Sequence, residues 1–553
     1  MSAVANYVRA LLPSARDYAG VGRTWRGDLI AGVTVGIVAL PLALGFGVAS
    51  GAGAEAGLIT AIVAGVIAAV FGGSHVQVSG PTGAMVVVLA PIVASHGMAA
   101  VALVSVMAGI IVVVAGAIHL GRAVSFIPWP VIEGFTLGIA VIIFLQQVPV
   151  LAGGASDAVA HTNVVLAAVS SLAAAEPVYL AWALGAVVIV AACMFLLPLL
   201  HPSIPGSLVG IVLVTVAVLF LPSPLAVIGG LPHSLPMPAL PALSPDTLSA
   251  LLLPAVAVAA LAAIESLLSA RVAASLADTG AYDPDRELVG QGLASIGAGL
   301  FGGMPATGAI ARTAVNVRAG AKSRLAAVTH AGVLLLVVMV AAGPVGSIPL
   351  AALSGVLMVT AIRMVHLATA RSILRSTRAD ALAYVVTAVI TVSVDLIVAV
   401  ILGMVVAGFF AIRGLSRATG VHREPIEGAP EAGDDRIAVI RLDGPLFFAA
   451  ADRVLAEVTA LDGVAVVILR MSQLELVDAT GAHVLTEIVK QLERRGVTVL
   501  IKGVREGHAE LFTTVGVLSS LRHSKHLFDE LAPAVAHARS HVARDAAGHG
   551  STR

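Results

Sequence analysis

The sequence predicts a polytopic all-α membrane protein of about fourteen transmembrane helices, arranged as a 7+7 inverted repeat, with a small cytoplasmic α/β domain behind it. Three observations predict this. The 553 residues are 58% hydrophobic and only 12% charged. A Gly-rich stretch following "FGG" recurs about 230 residues later. Near Val421 the composition turns polar and stays mixed to the end.

A mean hydropathy of +1.00 lies outside the range of soluble globular chains. The formal net charge of zero hides a strong segregation of charge along the chain. One cysteine, Cys193, excludes an intramolecular disulfide and a Cys-based metal cluster, and fits helix packing. Arg9, Arg16, Arg23 and Arg26 precede the first apolar run without the short core and small-residue site of a cleaved signal, so none is expected.

Apolar runs place membrane segments at 28–50, 57–71, 81–95, 98–118, 123–149, 178–199, 204–221, 249–275, 287–301, 308–317, 324–343, 349–365, 380–392 and 394–413. Charge supports this division. With the Arg-rich N-terminus inside, the inner loops hold Arg122, Arg271, Arg286, Arg318, Lys322, Arg324, Arg363, Arg371, Arg375, Arg378, Arg413 and Arg417. The outer loops hold no Lys or Arg, but do hold Glu55, Asp157, Glu176 and Asp246. An even number of spans puts both termini in the cytoplasm.

The expected domains are a cytoplasmic segment 1–27, a transmembrane domain 28–420, a linker 421–435, an α/β domain 436–540 and a disordered tail 541–553. "RIAVIRLDG", "VAVVILRM" and "VTVLIKGV" read as buried strands, alternating with amphipathic helices. His537, His541 and the tail histidines carry a faint metal signal; the reading adopted is a solvated tail, and no metal site is assigned.

The recurrence concerns "FGG" with "SGPTGAM" (Phe71 to Met85) and "FGG" with "PATGAIA" (Phe301 to Ala311). Seven spans per half is odd, so the second half is inserted upside down. Short, Gly/Pro-interrupted segments at matching places point to a site at the bilayer midplane. A helix over 81–95 is only about 22 Å long and one over 308–317 about 15 Å, so neither crosses alone. Ser79 is expected as an N-cap and Pro81 in the first helical turn. Two facing helix N-termini, each with about half a positive charge and free N–H groups, make an anion site. Close helix packing is the alternative use of such residues.

Glu265 falls inside the span 249–275, where a carboxylate is costly and usually functional. Ser269 is four residues on, on the same face. Three readings stay open: Glu265 exchanges a proton, coordinates a cation with Ser269, or pairs with a basic residue. Arg312, in the first turns of the second short helix, adds a full positive charge beside the anion site or pairs with Glu265. Glu133 and Asp395 read as interfacial or packing residues.

These stretches, with "GDLIAGVTVGIVALPLALGFGVASG", "AIESLLSA", "QGLASIGAGLFGGMPATGAIARTAVN" and "RADALAYVVTAVITVSVDLIVAVILGMVVA", resemble the SulP family of anion transporters over nearly the whole chain. "ILRMSQLELVDATGAHVL" resembles the STAS domain that follows them. The resemblance implies a uracil-transporter-like fold with core and gate domains, and frequent homodimerisation. It carries the anion site onto Leu42 and Phe46, onto Gly80, Pro81, Thr82 and Gly83, and onto Ala309, Ile310, Ala311, Arg312 and Thr313. The coupling position falls on Glu265 with Ser269, where sodium-coupled relatives carry Asp and Thr; the difference favours a proton over sodium. Leu42, Ala311 and Ser295 depart from residues common in the family, Gln, Ser and Asn, so substrate does not transfer by analogy. Thr480 in "DATG" matches a phosphorylated STAS position and reads either as a phosphosite or as an N-cap.

The expected function is secondary active transport of small anions across the plasma membrane by alternating access, with sulfate first and bicarbonate or a fumarate-like dicarboxylate next. Alternatives are a sodium-coupled bicarbonate transporter, a nucleobase permease and a membrane-anchored STAS signalling protein. The expected partners are a small anion, a proton or Na+, the lipid bilayer and a second copy of the chain, with no nucleic acid, cofactor or enzyme chemistry.

Overall fold

The computed structural model describes residues 11–18, 20–122, 127–154, 163–201, 204–241, 244–394 and 396–550. Arg9, Asp157, Asp395 and the first residues of the span expected at 123–149 lie outside them. The chain divides into two compact units, one ending at Met404 and the other starting at Val405.

In the first unit every expected span meets one helix. The first half holds α1 (Val21–Ala49), α2 (Gly53–Phe71), α3 (Gly83–His96), α4 (Ala99–Ala117), α5 (Trp129–Leu151), a short α6 (Val164–Ala173), α7 (Pro177–Leu200) and α8 (Gly206–Phe220). The second half holds α9 (Pro245–Leu276), α10 (Pro284–Leu300), α11 (Ile310–Arg318), α12 (Leu325–Gly346), α13 (Leu350–Met364), a short α14 (Leu367–Arg375), α15 (Arg378–Ser393) and the start of α16 (Leu396–Ala418), whose residues from Val405 on belong to the second unit. Among the described residues, nine helices are long and apolar enough to cross a membrane. The apolar Leu184, Val188, Leu196, Leu199 and Leu200 of α7 are exposed, which only a lipid solvent makes favourable.

The two halves interleave in matched pairs. α1 packs on α12 as its counterpart α9 packs on α4; α10 packs on α4 as α2 packs on α12. In a second group, α5 packs on α15 as α13 packs on α7. Such exchanges are what a two-fold relation between the halves produces. They sort α1–α4 with α9–α12, and α5, α7, α8, α13 and α15 together. The two groups meet where α1 touches α13 and α8, and where α3 touches α5. Small residues allow the close approach: a Cβ on Gly57 of α2 would lie 2.0 Å from the Ala43 carbonyl oxygen of α1.

The second unit contains a sheet of order β3-β4-β5-β6-β7, formed by Gly420–Glu424, Ile437–Leu446, Val466–Val477, Thr498–Lys502 and Leu527–Phe528. The first pair is antiparallel and the rest are parallel. Alternation along β4 sends Ala438, Ile440 and Leu442 to one face, against α17 (Phe448–Thr459), α18 (Ala479–Arg494) and α19 (Glu506–Val515). It sends Ile437 and Val439 to the other, against α20 (Leu531–Gly550).

Two expected boundaries are corrected. Residues 421–424, read as linker, form the edge strand β3; its polar "VHRE" pairs backbone to backbone with β4, which hydropathy does not register. The tail from 541 is helical to Gly550, because Ala534, Val535, Ala538 and Val542 form a stripe that packs on the sheet.

Candidate functional site

The two Gly-rich stretches come together. β1 (Ser79–Gly80) and β2 (Thr307–Gly308) pair antiparallel, Ser79 opposite Gly308 and Gly80 opposite Thr307. Each leads directly into a short helix, α3 or α11, so two helix N-termini flank one two-residue ladder. The extended backbone is satisfied within the protein, as its depth requires. Ala309 N donates to Val78 O (2.8 Å), Val78 N to Thr313 Oγ1 (3.0 Å) and Gly308 N to Ser266 Oγ (3.1 Å).

Here two expectations are corrected. α3 begins at Gly83, so Pro81 lies just outside the helix, and Thr82 occupies the cap position. Ser79 does not cap; it sits in β1, where its hydroxyl accepts from Gln291 Nε2 at 2.5 Å. Thr82 does not cap through its side chain either, because its hydroxyl donates to Glu265. Gly80 has φ +153, and a Cβ there would lie 2.8 Å from Arg312 Nη1.

Glu265, half-buried on α9, accepts at Oε2 from Thr82 Oγ1 (2.7 Å) and Thr307 Oγ1 (2.8 Å), and the two hydroxyls lie 3.1 Å apart. One carboxylate thus ties both unwound segments to α9. Ser269 does not join it; its hydroxyl meets Thr313 Oγ1 at 3.3 Å. Helix periodicity puts the two side chains on one face, but each finds a partner on a different segment. Arg312 is 2% exposed and donates from Nη2 to the Pro81 carbonyl oxygen at 2.5 Å, bridging α11 to the entry of α3. Among the described residues no carboxylate pairs with it, and Nη1 has no hydrogen-bond partner. The guanidinium therefore lies behind the site, while Ile310 and Ala311 at the helix start are exposed. Leu42 and Phe46 are buried on one face of α1. A Cβ on Gly83 would lie 3.4 Å from the Phe46 ring and 2.1 Å from Ile143 of α5, which puts the start of α3 at the seam between the two helix groups. Ala309 is the extended residue before α11, and Thr313 closes its first turn on the Ala309 carbonyl.

Several residues escaped the sequence reading. Thr307 is one; superposing "PATG" on "GPTG" aligns the two threonines and is the signal that could have found it. Gln77 Nε2 donates to Ser266 O at 3.2 Å. Glu287 on α10 accepts from Gly73 N and Ser74 N (2.8 and 3.1 Å), holding the loop of the first copy. Thr60 on α2, the repeat counterpart of α10, accepts from Met304 N (2.7 Å) and holds the loop of the second. Ser295, already singled out as a departure from the family, accepts from Ala306 N at 3.1 Å.

In the second unit, Asp478 caps α18 by accepting from Gly481 N at 2.7 Å, so the N-cap reading of Thr480 is corrected. Thr480 is exposed in the first turn. Glu424 of β3 accepts from Arg441 (2.6 Å) and Arg470 (2.8 Å). Partial burial pushes its carboxyl up, but hydrogen bonds from Arg470 and Arg441 outweigh this and hold it below the usual carboxylate range.

Fold and site together define a multi-pass helical membrane protein with paired half-helices on an inverted repeat, carrying a C-terminal α/β domain. Residues 25–387 match the sulfate permease family and residues 431–534 the STAS domain; the chain belongs to the sulfate permease family. It is 36% identical to the Bacillus subtilis protein named "Putative sulfate transporter YvdB", over 91% of this chain and 96% of that one. It is 32% identical to the bicarbonate transporter BicA of Picosynechococcus, over 79% and 81%. The transmembrane domain of a cyanobacterial BicA superposes with a TM-score of 0.61 at 32% identity, covering 70% of this chain and 98% of that one. SLC26A9 superposes with a TM-score of 0.82, covering 98% and 94%; at 18% identity that likeness concerns the fold alone.

Proposed function

We propose that the protein is a secondary active transporter of small anions in the plasma membrane, both termini cytoplasmic, with sulfate as the first substrate and bicarbonate or a dicarboxylate next. One observation carries the reading: two half-helices start from a shared antiparallel junction, with the Arg312 guanidinium buried against it, its Nη1 without a hydrogen-bond partner among the described residues. A unit anion about 5 Å from a guanidinium gains about 3 kcal/mol at an effective dielectric of about 20. Each helix N-terminus adds about 0.3–1 kcal/mol, and as much as about 2 where partly buried.

Glu265 supplies the coupling. Its negative charge opposes the anion, and its oxygen holds Thr82 and Thr307 across the junction. A proton on Glu265 removes that charge, so proton and anion favour one another's binding by the same factor. Movement of the α5, α7, α8, α13 and α15 group against the other exposes the junction to each side in turn. A second reading, sodium coupling, is favoured by the cluster of the Glu265 carboxylate and two hydroxyls, which are hard oxygen donors. Arg312 and the STAS domain argue against a nucleobase.

The test is uptake of labelled sulfate, bicarbonate, fumarate and uracil into proteoliposomes under separate pH and sodium gradients. Sulfate accumulation driven by an inward proton gradient is expected. Accumulation driven by sodium alone selects the second reading, and transport of uracil without any anion overturns both.

A further inference from the structure

His526, His537 and His541 of the second unit offer three nitrogen atoms that all lie within 4.8 Å of one another. His526 ends a short 3-10 turn, Ser524–His526, at the start of β7. His537 and His541 lie one turn apart on α20, flanking the stripe Ala534, Val535, Ala538 and Val542 that packs on the sheet. We propose that these three side chains bind one zinc-class divalent transition-metal ion, which fastens the C-terminal helix to the β7 edge of the STAS sheet.

The geometry is close to that of a site. Ligands bound at about 2.1 Å in a tetrahedron stand about 3.4 Å apart. The Nε2 atoms of His537 and His541 are already 3.3 Å apart, the reach that i,i+4 histidines give in helical zinc motifs. The ring centroids of His526 lie 5.5 Å from that of His537 and 5.4 Å from that of His541. His526 is 1% exposed, and its Nδ1 has no hydrogen-bond partner among the described residues. A buried unpaired ring nitrogen is costly unless something fills it.

The donor set selects the ion. Three imidazoles without a carboxylate suit Zn2+, Ni2+ or Cu2+ and not Mg2+ or Ca2+. Three protein ligands leave a fourth position for water. The competing explanation is an edge-to-face stack of neutral rings that binds nothing.

The test uses the full-length protein in detergent, carrying no polyhistidine tag and stripped with a chelator. Zinc binding is counted by elemental analysis, and Co2+ is used as a visible probe. One ion per chain and tetrahedral cobalt absorption are expected, with a rise in the melting temperature of the STAS domain on adding zinc. Loss of an outer-shell partner alone weakens metal sites by about 10–100-fold, so His541→Gln or His537→Gln should weaken zinc binding by at least about 100-fold. Both positions are half-buried, and unchanged circular dichroism with retained transport shows that the variants fold. No zinc on the wild type, or equal zinc on wild type and the double variant, overturns the proposal.

Discussion

Glu265 reaches partners 183 and 42 residues away in sequence, Thr82 and Thr307, and these contacts give the carboxylate its place. The sequence exposed Glu265 as a charge inside an apolar run, and helix spacing then paired it with Ser269. Spacing within one helix cannot report what a neighbouring segment presents, so Thr307 stayed hidden, and so did the contact of Ser269 with Thr313. Arg312 was legible as a basic residue in a short helix; that it turns inward to the Pro81 carbonyl was not. Two expectations belong to this scale. Thr307→Val removes one hydroxyl from Glu265 and should shift the pH or sodium dependence of uptake while Thr307→Ser restores it, as read from initial rates across pH. Hydrogen bonds to charged groups are worth about 1.5–3 kcal/mol, so Arg312→Ala should cost about 10–100-fold in the concentration of anion needed for half-maximal uptake.

At the scale of elements, the membrane helices were legible because crossing a bilayer demands apolar length; of α1 to α16 only the short α6 and α14 meet no expected run. Elements whose making depends on tertiary partners were not. β3 is a polar edge strand held by Glu424 between Arg441 and Arg470, and α20 looked like tail until its apolar stripe met the sheet. The position of Gly57 predicts a packing defect. An added Cβ would press to 2.0 Å on the Ala43 carbonyl, a backbone atom that cannot turn aside, so Gly57→Ala should lower the melting temperature and yield. Gly185→Ala, with nothing within 4 Å, should leave both unchanged. The Glu424 triad predicts a pH dependence. Its carboxyl is depressed in the folded state, so its contribution is present above the unfolded value of about 4.3 and is lost as pH falls through the lower folded value. The STAS melting transition in the full-length protein should fall in that acid window, and Glu424→Gln should flatten the fall.

For the whole molecule, the recurrence of "FGG" and "TGA" halfway along the membrane region announced two inverted halves. The structure adds how they interleave: each unwound loop is held by the second helix of the other half, Glu287 for one and Thr60 for the other. That exchange makes the junction of β1 and β2 a product of both repeats, so neither half alone can form it. The measurement that bears most directly on the central claim is sulfate accumulation in proteoliposomes under an imposed inward proton gradient, wild type beside Glu265→Gln. The account predicts uphill accumulation by the wild type, and by Glu265→Gln only sulfate exchange that no longer responds to the gradient. Gradient-driven accumulation by Glu265→Gln equal to wild type, or no anion uptake by the wild type at all, would contradict it.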